Sequence, residues 1–267
     1  MTTLKPYWFF LLLLTACNSG NKEPSNQTDA NYTNTVTVNT QNSLPIPNNQ
    51  VVDHYQILLM GNSHVKSLDS MINILIEARF PEKEVSSSSA QGIYYLSERI
   101  EDKASIDKLT NTPWTHVILQ AQKYSSSGAF TYPTDAAVSL IRLSKSQNST
   151  PIMFPEHPRF DNKTEGMKVH LLHKSIAQEE PACVAPIGLA WDRAIELYPD
   201  LNLHHADGNH ANTTGKLLTA LVFYQIITGE SADTLPYIAA IDVDELNQNI
   251  LRQVASYSLE QNPACDF

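Results

Sequence analysis

The chain has 267 residues, 42% of them hydrophobic, and a formal charge of −10 at pH 7. That acidic balance, with no cluster of Lys and Arg, excludes nucleic acid as a partner, because phosphate binding needs a basic footprint. It also argues against peripheral adhesion to anionic lipid, which a basic segment would mediate.

The first element is a targeting segment. Lys5 precedes a short apolar run, Tyr7 to Thr15, which ends in Ala16 and Cys17. A basic start, a short apolar core and small residues at its end make a secretory signal, too short for a comfortable transmembrane helix. Leu14-Thr15-Ala16-Cys17 resembles the bacterial lipobox. The resemblance implies that Cys17 is the lipidated first residue of the mature protein, with several acyl chains as a membrane anchor. The alternative is an ordinary signal peptide with a chance cysteine. Loss of Lys5 with the signal takes the mature charge to −11. Residues 18–52 are rich in Asn, Thr, Ser, Gln and Pro, with no periodicity, and are expected to be a disordered tether. Residues 53–267 are long enough for one α/β domain with a sizeable core. In an exported chain disulfides persist. Cys183 and Cys265 are therefore either a bridge stapling the C-terminal tail to a core strand, or a buried thiol and a loose one.

Tyr55 to Met60 is a mostly apolar run ended by Gly61-Asn62, the pattern of a strand buried on both faces. Val65 to Phe80 has helical spacing at Leu68, Met71, Ile72, Leu75 and Ile76. Strands are expected at 84–88, 115–120, 151–154 and 183–187. Helices are expected within 93–109 and at 134–145, 164–178, 189–198, 214–228 and 243–259. Strand–helix alternation with short connections implies an open, mostly parallel sheet with helices on both faces. Ligands bind such sheets at the carboxyl ends of the strands. Ser63, Gln120, Gln122, Glu156 and His157 all follow strand ends, and Asp207 and His210 precede the late helix, so all crowd one rim.

Ser63 lies in a tight Gly-Asn turn after the first strand. A serine hydroxyl is a poor nucleophile until a base takes its proton, and a strand-to-helix turn leaves unpaired N–H groups suited to an oxyanion. Its bland alternative is a helix N-cap. Asp207 and His210 can share one face of a turn, with the carboxylate orienting the imidazole toward Ser63. Their bland alternatives are a plain Asp-Gly turn and a surface histidine. Glu156 and His157 either line the cleft or sit in a solvated loop, the more ordinary fate. Trp114 and Trp191 read as packing residues. A rival reading takes His204, His205, Asp207 and His210 as zinc ligands, but the cluster matches no standard zinc motif and leaves Ser63 unexplained.

These residues resemble the SGNH hydrolases, the GDSL-like esterases and lipases. Ile57 to Ser63 resembles their first block, with Gly-Asn-Ser in place of Gly-Asp-Ser. Asp207-Gly208-Asn209-His210 matches their last block, Asp-x-x-His. Gly92 is a candidate second-block glycine, whose N–H would help hold the oxyanion. The resemblance implies a flavodoxin-like three-layer sandwich on a five-stranded sheet, and ester hydrolysis without metal or other cofactor. The usual third block, Gly-x-Asn-Asp, is absent; Leu119 to Lys123 reads Leu-Gln-Ala-Gln-Lys. Gln120 or Gln122 could supply the missing amide donor, Gln120 being slightly preferred because it ends the strand. The expectation is a lipid-anchored, extracytoplasmic serine esterase of the bacterial cell envelope. It would be monomeric and act on a small acyl ester such as an O-acetylated glycan. A catalytically inactive binding lipoprotein is the alternative.

Overall fold

The computed structural model describes residues 43–267. The expected signal, Cys17 and most of the expected tether lie outside the described residues. Five strands run β1 (His54–Met60), β2 (Glu84–Ser89), β3 (His116–Gln120), β4 (Thr150–Phe154) and β5 (Cys183–Val184). They form one sheet of order β2-β1-β3-β4-β5, parallel throughout. The helices are α1 (Leu68–Arg79), α2 (Leu96–Arg99), α3 (Lys103–Thr110), α4 (Asp135–Ser146), α5 (Glu165–Glu179), α6 (Ile187–Leu197), α7 (Thr213–Thr228) and α8 (Glu245–Gln261).

The central strands are apolar on both sides because both sides are covered. Ile57 and Leu59 of β1 join the core beneath α1, α6, α7 and α8, whereas Leu58 and Met60 join the core beneath α3 and α4. Alternation along a strand produces this split, which makes three layers. β2 is polar, Glu-Val-Ser-Ser-Ser-Ser, and stands at the sheet edge. β5 is shorter than expected. It stops at Val184 because Pro186 caps α6, which begins at Ile187. The helical region within 93–109 divides into α2 and α3, with Asp102 capping α3 through a hydrogen bond from the Ser105 N–H.

Cys183 and Cys265 are bridged, 82 residues apart in sequence, and the Val184 N–H donates to the Ala264 carbonyl beside them. Residues 43–52, the last part of the expected tether, lie as a strap against the start of the sheet. Asn49 Nδ2 donates to the Thr115 and Asn148 carbonyls and to Thr150 Oγ1. Buried Lys145 donates to the Leu44 carbonyl, and Tyr55 OH donates to the Gln50 carbonyl. The strap thus meets the sheet where the strands begin. The chain passes from β1 to β2 on one side and from β2 back across to β3 on the other, so the switch point lies between the carboxyl ends of β1 and β3. Open α/β sheets bind ligands at such a point.

Candidate active site

Ser63 stands three residues beyond β1, at the start of a single 3-10 turn, Ser63–Val65. The cap of that turn is Asn62, whose Oδ1 accepts from the His64 N–H at 3.1 Å. The Ser63 hydroxyl is therefore free of capping work. It lies 2.8 Å from His210 Nε2. Gly61 is required just before it, since a Cβ there would come within 2.3 Å of Gln120 Oε1.

His210 is placed by one carboxylate. Asp207 Oδ1 accepts from the Asn209 and His210 N–H groups, both at 2.9 Å, and Oδ2 lies 2.7 Å from His210 Nδ1. Gly208 completes the turn at φ +68°, a left-handed conformation that suits glycine. The His210 N–H, its ring and the Asn209 N–H hold the Asp207 carboxyl well below the usual carboxylate range. Ionised Asp207 accepts a hydrogen bond from Nδ1–H, which keeps the proton on that nitrogen, so Nε2 presents its lone pair to the Ser63 O–H. The two pieces, 147 residues apart in sequence, meet at the carboxyl rim of the sheet.

The predicted oxyanion groups are arranged differently from one another. Neither the Ser63 nor the Gly92 N–H has an acceptor among the described residues. Gly92 has φ +81° in the exposed loop after β2. Both glutamine side chains, by contrast, have partners of their own. Gln120 Oε1 accepts from the Asn62 N–H at 2.8 Å, and its Nε2 donates to Glu156 Oε1 at 3.0 Å. Gln122 spends both amide hydrogens on the Lys123 and Pro133 carbonyls. Gln120 thus braces the nucleophile turn from behind, and Gln122 lines the cleft without a free donor.

His157 is buried, and Glu156, mostly buried, lines the cleft rather than a solvated loop. Burial raises the Glu156 carboxyl to about 7. Its Oε2 lies 3.3 Å from His64 Nε2. Burial, with His210 nearby, lowers His64 to about 4. His64 stacks on His210 with ring centres 5.0 Å apart, and His157 stacks on buried Trp191 at 3.9 Å. These rings wedge His210 from the side away from solvent. Spacing gave no sign of this, because the contacts join residues from four separate segments. His204 points to the Pro158 carbonyl at 2.8 Å, and His210 is committed to Ser63 and Asp207. Among the described residues, no three His, Cys, Asp or Glu side chains converge as metal ligands.

The cleft in front of Ser63 has a volume of about 570 Å³. Its walls carry Tyr94, Tyr95, Tyr124 and Tyr132, with Ile93 and Lys123. Lys123 Nζ lies 4.6 Å from the centre of the Tyr95 ring.

The serine-histidine-aspartate chain stands at the rim of a parallel α/β sheet, and solved structures share that fold. A DUF4886 family protein from Bacteroides uniformis matches with TM-score 0.61 at 14% identity, over 80% of this chain and 98% of that one. A catalytic mutant of an acetylxylan esterase from Geobacillus stearothermophilus matches with TM-score 0.54 at 14% identity, over 68% and 97%. A protein assigned to the SGNH hydrolases, from Slackia heliotrinireducens, matches with TM-score 0.50 at 19% identity, over 65% and 99%. No family model and no curated protein matches the sequence. The fold is that of the SGNH hydrolases.

Proposed function

We propose that this chain is a serine esterase that removes a small acyl group, such as an O-acetyl group, from a glycan outside the cytoplasm, held to the membrane through lipid on Cys17. The carrying observation is the unbroken chain Ser63 Oγ to His210 Nε2 to His210 Nδ1 to Asp207 Oδ2, at 2.8 and 2.7 Å. Ser63 Oγ attacks the ester carbonyl carbon while its proton passes to His210 Nε2. Asp207 stabilises the resulting imidazolium. The carbonyl oxygen becomes an oxyanion held by the Ser63 and Gly92 N–H groups. Collapse breaks the bond to the alcohol oxygen, which leaves with the proton from His210. Water, deprotonated by His210, then releases the acid from acyl-Ser63.

The glycan reading is supported by the tyrosine-lined cleft, since flat amphipathic rings pack on sugar faces while their hydroxyls hydrogen-bond. The size of the cleft also suits a short saccharide. A second reading, an inactive binding protein on the same fold, is favoured by one observation: Gln122 spends both amide hydrogens on carbonyls and Gln120 is bonded to the Asn62 N–H and Glu156, so neither stands free in the place of the missing asparagine. Labelling by a fluorophosphonate, with Ser63→Ala as control, separates the two. The esterase reading requires labelling that the Ser63→Ala variant loses. An unlabelled, folded wild type supports the binder. Cys17→Ser should abolish incorporation of labelled fatty acid, and undiminished incorporation would sink the anchor.

A further inference from the structure

Arg99, the last residue of α2, is fully buried, at 0% exposure. A buried guanidinium is costly unless hydrogen bonds replace its water. Here all but one of the bonds go to backbone. Nη1 donates to the Gln91 carbonyl and to Ser105 Oγ at 3.0 Å. Nη2 donates to the Gly61 carbonyl at 2.6 Å and the Gly92 carbonyl at 2.8 Å, with the Ala90 carbonyl at 3.4 Å. No carboxylate hydrogen-bonds Arg99 among the described residues; Asp102 reaches it only through the Ser105 hydroxyl.

The carbonyls belong to two loops. Gly61 precedes Ser63, and Ala90, Gln91 and Gly92 follow β2. In a trans peptide unit the C=O and N–H point in opposite directions. A donor on the Gln91 oxygen therefore fixes the direction of the Gly92 N–H, and that N–H has no acceptor among the described residues. A purely packing role would be met by an apolar side chain, with no charge to desolvate.

We propose that Arg99 is a positioning residue for the oxyanion hole, tying the Gln91–Gly92 peptide unit to the Ser63 loop and polarising it so that the Gly92 N–H is the stronger donor. Arg99 does not touch the reacting atoms. The proposal rests on the esterase reading above. An effect exerted through an oxyanion donor appears in the transition state, so it lowers kcat and leaves KM nearly unchanged.

The experiment uses the full chain with p-nitrophenyl acetate, Arg99→Lys and Arg99→Ala variants, and thermal melts of each. Activity in the wild type and its loss in Ser63→Ala establish the esterase reading independently. Given those, kcat should fall by about 10- to 1000-fold in folded Arg99 variants, with KM within about threefold. Millimolar guanidinium should partly restore Arg99→Ala. A folded variant that keeps kcat within about twofold, or one that changes KM alone, overturns the proposal. A wild-type crystal structure with a phosphonate on Ser63 tests it without any variant. The phosphonyl oxygen should accept from the Gly92 N–H while Arg99 still holds the Gln91 carbonyl. An oxygen turned away from Gly92 overturns it as surely.

Discussion

Asp207 does two jobs that substitution can separate. One oxygen builds the turn through two backbone N–H groups and the other orients the His210 ring. Asp207→Asn keeps an oxygen for the turn but offers an amide to Nδ1, which favours the wrong tautomer. Its kcat should fall by about 10³- to 10⁴-fold with little loss of thermal stability. A large drop in Tm with mild kinetic loss would make Asp207 chiefly a turn residue. Gln122→Ala should cost far less than the ~100-fold expected of a lost oxyanion donor, because its amide hydrogens are already spent. A loss of that size in steady-state kcat would show that Gln122 turns toward substrate. The hydrogen-bond chain from Ser63 through His210 to Asp207 is legible because Asp-x-x-His and a serine after a strand are local patterns. Arg99 was not, because its partners are backbone carbonyls, which carry no residue identity. Glu156 and His157 read as cleft or, more ordinarily, solvated-loop residues, since nothing local announces that His64, Gln120 and Trp191 close over them.

At the level of elements, the alternation of short apolar runs with helical spacing was enough to read the parallel sheet and its rim. The ends of elements were less legible. β5 ends early because Pro186 starts a helix where the apolar run continues into Ile187. The strap was read as tether because its polar residues make their bonds to Thr115, Asn148 and Ile226, all distant in sequence. With only two residues in the ladder, edge strand β5 depends on the bridge that ties it to the C-terminal tail. Closing a long loop stabilises by roughly 2–4 kcal/mol. Cys265→Ser should therefore lower Tm by about 5–15 °C. At 25 °C the rate of ester hydrolysis should be retained, because neither cysteine contacts Ser63 or His210. Calorimetry and a parallel activity assay check both halves. An unchanged Tm would show that the tail packs equally well without the bridge.

For the molecule as a whole, five buried histidines set the response to acid. Burial lowers His116 and His157 to about 3, and His64, His170 and His173 to about 4. Between about pH 4 and 6.5 the unfolded chain binds protons at these positions and the folded chain does not, so stability rises with pH across that window. Glu156, raised by burial to about 7, and Asp192, raised by burial to about 6, act in the opposite sense. They hold protons in the fold that the unfolded chain has released, so their contribution falls as pH rises from about 4 toward 6 or 7. The five outnumber the two. Tm should climb from pH 4.5 to 6.5, and Glu156→Gln should steepen the climb by removing an opposing group. A flat profile in scanning calorimetry would mean that the buried rings accept protons without loss of packing.

The strap and the cleft occupy opposite ends of the sheet. It meets the sheet where the strands begin, while Ser63 and its tyrosine walls lie where they end. A seven-residue strand spans about 23 Å. Strap residues 43–52 are thus separated from the cleft by the depth of the sheet. A probe attached at exposed Ser43 should therefore leave the approach to Ser63 open.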